Sequence, residues 1–419
     1  MKIINIIHFP FNYHLLENEE PSVKWETGNG NWCGIWQGNW SQRLGNAILE
    51  SEYEIKYEVW RPDLRADKVY SHTFENGLKY RLFPAKYYKY LWGIKFRKVA
   101  FSKLMIDHID KQIKQEQHII LHINAGFRYH DKIILDKFYN KVSIVAQSYT
   151  NLQSSLTKEK TKNLIKYIHR RLIWSVYDDY YKKLKYIIPS TQKGLETIAN
   201  KYNLKIFYRD NLANFGIDFS VWNSIISKGS ARKILNIDES EFVFFHSSRL
   251  IPCKQIDFMI KEFSKIKNKS FIVYLSGKGE KGYEKYLENI VRKNNIQNRI
   301  KFIGYVTDEK LKNYYIACDA FLSCSKSEAG PFSTALAAHY EKPIITTNTG
   351  IVYDLLQNHN SGFIINKDDC SQWHKTIARV LNGNKIPVCP KEIVDDFFNW
   401  DKISNYYINT YKKVLKNRT

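Results

Sequence analysis

The chain has 419 residues, 44% of them hydrophobic and 25% charged, which is enough apolar material for two or three soluble domains with separate cores. A formal net charge of +22 points to anionic partners: nucleotide phosphates, nucleic acid or an acidic membrane face. No apolar run approaches about 18 residues, which excludes a spanning helix, and the six cysteines show neither CxxC pairing nor metal-ligand spacing with histidine, which argues against a zinc site and for reduced thiols in a cytoplasmic protein.

The opening residues, MKIINIIHFPF, are apolar but lack a small-residue cleavage site, so 3–8 reads as a first buried strand and not as a leader. From there short β-rich runs alternate with longer helical ones, the pattern of an α/β protein with parallel sheets. The first half has expected strands at 3–8, 119–123, 142–146 and 186–188 and a helix at 42–50. The second has strands at 242–246, 271–275, 300–303, 320–323 and 343–346, with helices at 256–266 and 283–294. The polar segment SIISKGS, 224–230, reads as a hinge between two doubly wound halves. In the last stretch, Ile403, Tyr406, Tyr407, Tyr411, Val414 and Leu415 fall at helical spacing, so an amphipathic terminal helix is expected in a groove across the two halves.

Two stretches, 79–103 and 163–186, interleave Lys and Arg with Tyr and Trp. That mixture suits the headgroup zone of an anionic membrane, and it equally suits solvated helix faces. The tract WETGNGNWCGIWQGNW carries Trp25, Trp32, Trp36 and Trp40, which either stack on sugar rings as a lid or pin a long loop to the core.

Ligands of open parallel sheets bind beyond the carboxyl ends of the strands, so the loops after the second-half strands hold the candidates. After FVFFH comes SSRLIPCK, with Arg249 and Lys254. A planar guanidinium and a mobile ammonium from one loop suit a diphosphate, although plain surface charges fit the same pattern. After FIVYLS, GKGEKG fits G-x-G-x-x-G at 277–282, but its mid-chain position and the missing acid on the next strand argue against an NAD site. Gly277 and Gly279 either let a phosphate approach the backbone or make a simple tight turn. After AFLSCS, the stretch SEAGPFSTALAAHYEKPIIT offers Glu328, a turn shaped by Gly330 and Pro331, and the N–H groups of Phe332, Ser333 and Thr334 opening a helix that attracts phosphate. No DxD-like motif stands in a suitable loop, so a metal-independent site is expected.

In order and spacing, SSRLIPCK, SGKG, IKFIGYV, IACDAFLSCSKSEAGPFS, ALAAHYEKPIITTNTG and SGFII resemble the nucleotide-sugar half of GT-B glycosyltransferases of the large retaining family four, over about residues 185–419. NFGIDFSVW, 214–222, resembles the family's Asn-Gly-Val-Asp segment, and Asn399 and Trp400 resemble the opening of its crossover helix. The resemblance implies two doubly wound Rossmann-like domains facing across a cleft: 1–200 on the acceptor side, 201–395 for the nucleotide sugar, and 396–419 as a helix crossing back to the first domain. It implies a hexosyltransferase-type enzyme that moves a sugar, with retention, from a nucleotide-diphosphate donor to a glycan or lipid-linked acceptor in bacterial surface polysaccharide or glycoconjugate assembly. No cofactor and no nucleic-acid partner are expected, and the protein is placed in the cytoplasm or on the inner face of the cytoplasmic membrane. A non-catalytic GT-B subunit partnering an active transferase is the alternative.

Residue by residue, the resemblance gives the donor diphosphate to Arg249 and Lys254, with Ser248 where the family has Gly. Glu328 becomes the sugar-facing first Glu of the E-x7-E motif, and the ribose-facing second Glu falls on Leu336. In the first half, GNWSQRLGNAILES resembles the glycine-led first helix, which approaches the donor phosphates or the acceptor and makes Gly38 a donor-side candidate, while Trp36 and Trp40 are sugar-facing candidates of the tryptophan tract. His122 or Asn124 stands where a family His meets the donor sugar, and Gln147 where many relatives carry another His.

Overall fold

The computed structural model describes residues 4–9, 40–51, 53–64, 66–92, 95–124, 129–148, 164–189, 196–209, 211–267, 270–328, 330–366 and 372–417. The chain forms two compact units, Met1–Asp210 with Trp400–Thr419, and Asn211–Asn399. The 224–230 segment is not a boundary. It lies inside the second unit, where the Ser227 hydroxyl caps helix Lys228–Leu235 by accepting from the Ser230 N–H at 3.1 Å.

In the first unit, strands β1 (Ile4–His8), β2 (Ile55–Asp63), β3 (Tyr70–Thr73) and β4 (Lys79–Pro84) precede a ribbon of β5 (Lys86–Trp92) and β6 (Lys95–Phe101). Strands β7 (Ile119–Asn124), β8 (Ser143–Gln147), β9 (Tyr186–Ile188) and β10 (Lys205–Ile206) follow. Among the described residues the main sheet runs β10-β9-β8-β7-β1-β2-β4-β3, parallel except for β3 against β4. INIIH is apolar almost throughout because β1 lies inside the sheet, flanked by β2 and β7.

The basic stretch from residue 79 is β-structure rather than helix. Strand β4 joins the main sheet, and β5 pairs with β6 as a separate antiparallel ribbon, from Lys86 opposite Phe101 to Trp92 opposite Lys95. Tyr, Phe and Val recur among its lysines, and such side chains fit a pleated strand better than a helix. The terminal helix Trp400–Lys416 belongs to the first unit, with Tyr407 and Tyr411 fully buried and the Tyr406 hydroxyl donating to the Phe207 carbonyl at 2.6 Å. No helix among the described residues is long and apolar enough to cross a membrane.

The second unit has one fully parallel sheet: β11 (Val243–Ser247), β12 (Ile272–Ser276), β13 (Ile300–Gly304), β14 (Ala320–Ser323), β15 (Ile344–Thr347) and β16 (Phe363–Ile365). Its order is β13-β12-β11-β14-β15-β16. The chain winds outward from β11 on one side, then returns to β14 and winds outward on the other. The switch point is therefore between β11 and β14, and their loops open the crevice where such sheets take ligands.

Candidate functional site

The loops leaving β11, β14 and β15 are bonded into one body. Past β11, the turn Pro252–Lys254 ends at Gln255, whose φ of 51° turns the chain into helix Ile256–Ser264. The Lys326 N–H donates to the Cys253 carbonyl at 2.9 Å, and the Cys324 thiol donates to the Lys254 carbonyl at 3.1 Å. The Thr347 hydroxyl donates to the Ser325 carbonyl at 2.6 Å. Within this framework Lys254 and Glu328 form an ion pair, their side chains 15% and 12% exposed. The Ser325 hydroxyl donates to the same Glu328 oxygen at 2.6 Å, so the carboxylate is oriented by groups of the protein itself.

Arg249 stands in the same loop as Lys254 but is exposed, and its guanidinium has no carboxylate partner among the described residues. Ser248 is held from below. The buried His246 donates from Nδ1 to the Leu322 carbonyl at 2.8 Å, which leaves Nε2 to accept from the Ser248 hydroxyl at 2.8 Å. Burial pushes the His246 pKa down to about 4, so the ring is neutral at physiological pH and that tautomer is stable.

The glycine turn after β12 has a physical origin that the sequence left open. A Cβ on Gly277 would lie 1.7 Å from the Ser248 carbonyl oxygen, and one on Gly279 would lie 2.0 Å from that of Leu250. The two loops run side by side, with Leu250 N–H donating to the Lys278 carbonyl at 2.9 Å. These glycines admit another stretch of backbone. The Gly279 N–H is moreover taken by the Glu284 carboxylate at 2.7 Å, a position a phosphate would otherwise fill.

At the head of helix Phe332–His339, Pro331 precedes the first turn and no side chain caps it. The Thr334 N–H donates to the Pro331 carbonyl at 3.0 Å and is thereby used, whereas no acceptor meets the N–H of Phe332 or Ser333 among the described residues. The Thr334 hydroxyl is buried without a partner. Gly330 is required because a Cβ there would fall 2.1 Å from the ring of Phe215, in the NFGID segment. Leu336 is fully buried, so its side chain contributes packing and reaches no ligand surface.

In the first unit, His122 is also fully buried. Its ring stacks on His8 with centroids 4.2 Å apart, and Nδ1 shares a hydrogen bond of 2.7 Å with the Tyr411 hydroxyl. Burial pushes its pKa down to about 3 and that of His8 well below its ordinary value, His122 adding to the second shift. The packing is that of a core histidine. Asn124 ends β7 and Trp40 opens helix Trp40–Leu49, but their side chains, like Trp36 and Gly38 as a whole, lie outside the described residues. His246, Ser325, Glu284 and Phe215 are not among the site residues expected from the sequence, although Phe215 lies in NFGIDFSVW and Ser325 in AFLSCSKSEAGPFS. His246 left a signal of its own, as a lone polar residue ending the apolar run FVFF.

Residues 227–392, which carry every strand of the second sheet, match the family model of glycosyl transferases group 1. This segment belongs to the group 1 glycosyltransferases. An uncharacterised glycosyltransferase of Methanocaldococcus jannaschii is 23% identical over 221 residues, which is 51% of this chain and 55% of the relative. The chain spans about half the length of the curated relatives it matches first. Sucrose-phosphate synthase from Thermosynechococcus elongatus superposes with a TM-score of 0.65 at 13% identity, over 99% of this chain and all of that one (100%). HepE of Anabaena in complex with UDP gives 0.60 at 14% identity, over 100% of this chain and 99% of that one. The fold of the chain is accordingly GT-B, with two Rossmann-like units.

Proposed function

We propose that the chain is a retaining glycosyltransferase that moves a sugar from a nucleotide-diphosphate donor to a glycan or lipid-linked acceptor, in surface polysaccharide or glycoconjugate assembly. The observation that carries this reading is Arg249, an exposed cation at the switch point without an acid partner among the described residues, in the same loop as Lys254 of the Lys254–Glu328 pair. A guanidinium there forks two diphosphate oxygens, and the Lys254 ammonium adds a point charge. The Phe332 and Ser333 N–H groups contribute the positive end of a helix. Together they stabilise the charge that builds on the departing diphosphate as the sugar–oxygen bond breaks. The acceptor hydroxyl attacks from the face the leaving group vacates and passes its proton to the departing diphosphate oxygen, which retains configuration, and Glu328 accepts hydrogen bonds from the donor sugar. With two cations balancing the diphosphate, this reading requires no metal. That HepE was solved in complex with UDP supports a nucleotide ligand for the same fold.

A second reading, a non-catalytic subunit that partners an active transferase, draws on Leu336, which puts an apolar core residue where the family's ribose-facing acid falls. A thermal-shift series with UDP, GDP and CDP separates the two. The enzyme reading expects one nucleotide to raise the melting temperature and Arg249→Ala to abolish that rise and slow sugar transfer. If no nucleotide raises it, the enzyme reading fails; if Arg249→Ala transfers sugar at the wild-type rate, the assignment of the diphosphate to Arg249 fails.

A further inference from the structure

The two sides of the switch point are not joined by backbone pairing alone. Strand β11 pairs with β12 as far as Ser247 opposite Ser276, whereas its pairing with β14 ends at Phe245 opposite Phe321. The next residue, His246, reaches across with its side chain. Its Nδ1 donates at 2.8 Å to the carbonyl of Leu322, one position past the last β14 pair. Residues two apart in extended chain face the same way, so the other side of the ring meets Ser248, whose hydroxyl stands 2.8 Å from Nε2. His246 thereby ties β14 to the residue that precedes Arg249.

Packing alone gives no account of an imidazole here. His246 is 2% exposed at the end of the apolar run FVFF, and a phenylalanine would continue that run without the cost of burying two ring nitrogens. The neutral ring has one donor and one acceptor. One is given to the strand across the switch point and the other to the serine.

Where that serine sends its proton decides how the backbone at Arg249 is held. The Ser248 N–H donates to the Ser276 carbonyl at 3.1 Å, and its own carbonyl lies against Gly277. Its hydroxyl has two acceptors in reach, His246 Nε2 at 2.8 Å and the Arg249 carbonyl at 3.1 Å, and a single proton to give. The Arg249 carbonyl already accepts from the Ile251 N–H at 3.0 Å, whereas Nε2 has no other partner among the described residues. Deprived of the ring, the serine would bond within the loop and lose its link to the sheet. On the far side of Arg249, Leu250 is buried with its N–H on the Lys278 carbonyl. Both neighbours of Arg249 are thus anchored while its own side chain stays exposed. We infer that His246 is a positioning residue of the donor site: through Ser248 it fixes the backbone from which Arg249 reaches the donor diphosphate. The inference rests on the reading that Arg249 binds that diphosphate, and it adds a residue that acts from beneath the loop.

Titration of the full chain with UDP, GDP and CDP tests it, the nucleotide that binds wild type being carried through the variants. His246→Phe keeps the ring's size and burial and loses both bonds, and its dissociation constant is expected to rise about tenfold. Ser248→Ala should show the same rise, and the double variant no more than either. In an Arg249→Ala background, His246→Phe should weaken binding no further. Two conservative variants separate positioning from packing. The amide of His246→Gln reaches the place of Nε2 and can accept from Ser248, while that of His246→Asn reaches only the place of Nδ1 and can serve Leu322. Positioning expects Gln to restore most of the affinity and Asn to bind like Phe, whatever their melting temperatures. Should His246→Phe fail to fold, Ser248→Ala, at a half-buried position, reads the same link. Wild-type affinity in both His246→Phe and Ser248→Ala would overturn the inference, as would Asn restoring affinity where Gln does not. Weakening in Ser248→Ala alone would overturn it too, and would make the serine a direct ligand contact. Failure of the enzyme reading looks different: wild type then binds none of the three nucleotides, and the inference falls with it.

Discussion

Lys254 and Glu328 stand 74 positions apart in sequence and meet as an ion pair on two loops of one parallel sheet. Ser325 donates to the same carboxylate oxygen, and the backbone on either side is cross-bonded through Cys253 and Cys324. The position of Glu328 is therefore prepared before any ligand binds, which spares the ordering that a free side chain would have to undergo.

Breaking that pair from either side should leave a poorly solvated charge. Glu328→Gln is expected to lower stability by about 1–3 kcal/mol, the range for a lost charged hydrogen bond, and to reduce sugar transfer by a much larger factor. A double-mutant cycle with Lys254→Met, read by urea denaturation, should return a coupling of at least about 1 kcal/mol. Additive effects would show that the two side chains do not act together.

The glycine turn gives a test with an internal control. Gly277→Ala and Gly279→Ala place a methyl carbon 1.7 Å and 2.0 Å from carbonyl oxygens of the neighbouring loop, and Gly277 also has a φ of +132°. Each should destabilise by about 2 kcal/mol or more through displaced backbone and strain. Gly282→Ala meets nothing within 4 Å and lies in helix Lys281–Lys293. It should be neutral or stabilising by about 0.5–1 kcal/mol. Denaturation midpoints of the three variants check this directly.

Leu336→Glu looks at first like a way to restore an acid the family uses. Full burial in the helix Phe332–His339 predicts otherwise. A carboxylate there is expected to lower stability by about 3 kcal/mol or more, whereas Leu336→Met should cost less than about 1.5 kcal/mol. A Leu336→Glu variant that melts like wild type and binds nucleotide more tightly would place the side chain in the ligand pocket after all.

Acid should loosen the protein through its buried histidines. His8, His122 and His246 all have pKa values pushed down by burial, the latter two to about 3 and about 4. On unfolding each returns to about 6.5. The unfolded chain thus binds more protons between those values, so stability is complete above about pH 6.5 and falls as the pH drops toward 4. Within that window each such histidine contributes a slope of about 1.4 kcal/mol per pH unit. In His122→Phe the slope between pH 4.5 and 6.5 should be shallower than in wild type, whatever the change in absolute stability. An unchanged slope would remove His122 as a source of it.

Much of the second unit was legible in the residues themselves. Runs such as FVFFH, FIVYLS and AFLSC are near-continuously apolar because both faces of a parallel strand are covered, and that marks them without help from elsewhere. The loops that follow them hold Arg249, Lys254 and Glu328 by the general rule that parallel sheets bind at their carboxyl ends. The first unit was harder to read. Strand β2, IKYEVWRPD, mixes charged and apolar positions, and the Lys and Arg interleaved with aromatic residues in β5 and β6 matched a solvated helix face.

Sequence alone thus determined the α/β class, the positions of the second sheet's strands along the chain and the charges beyond their carboxyl ends, because burial on both faces and local turn chemistry act on neighbouring residues. Tertiary structure decided what those charges meet. It paired Lys254 with Glu328 and left Arg249 exposed, filled the Gly279 N–H with Glu284, and buried Leu336 and His122 in packing. Apart from the local Gly279–Glu284 bond, these outcomes rest on approach between segments far apart in the chain, and no local pattern records which side chain will stand opposite another.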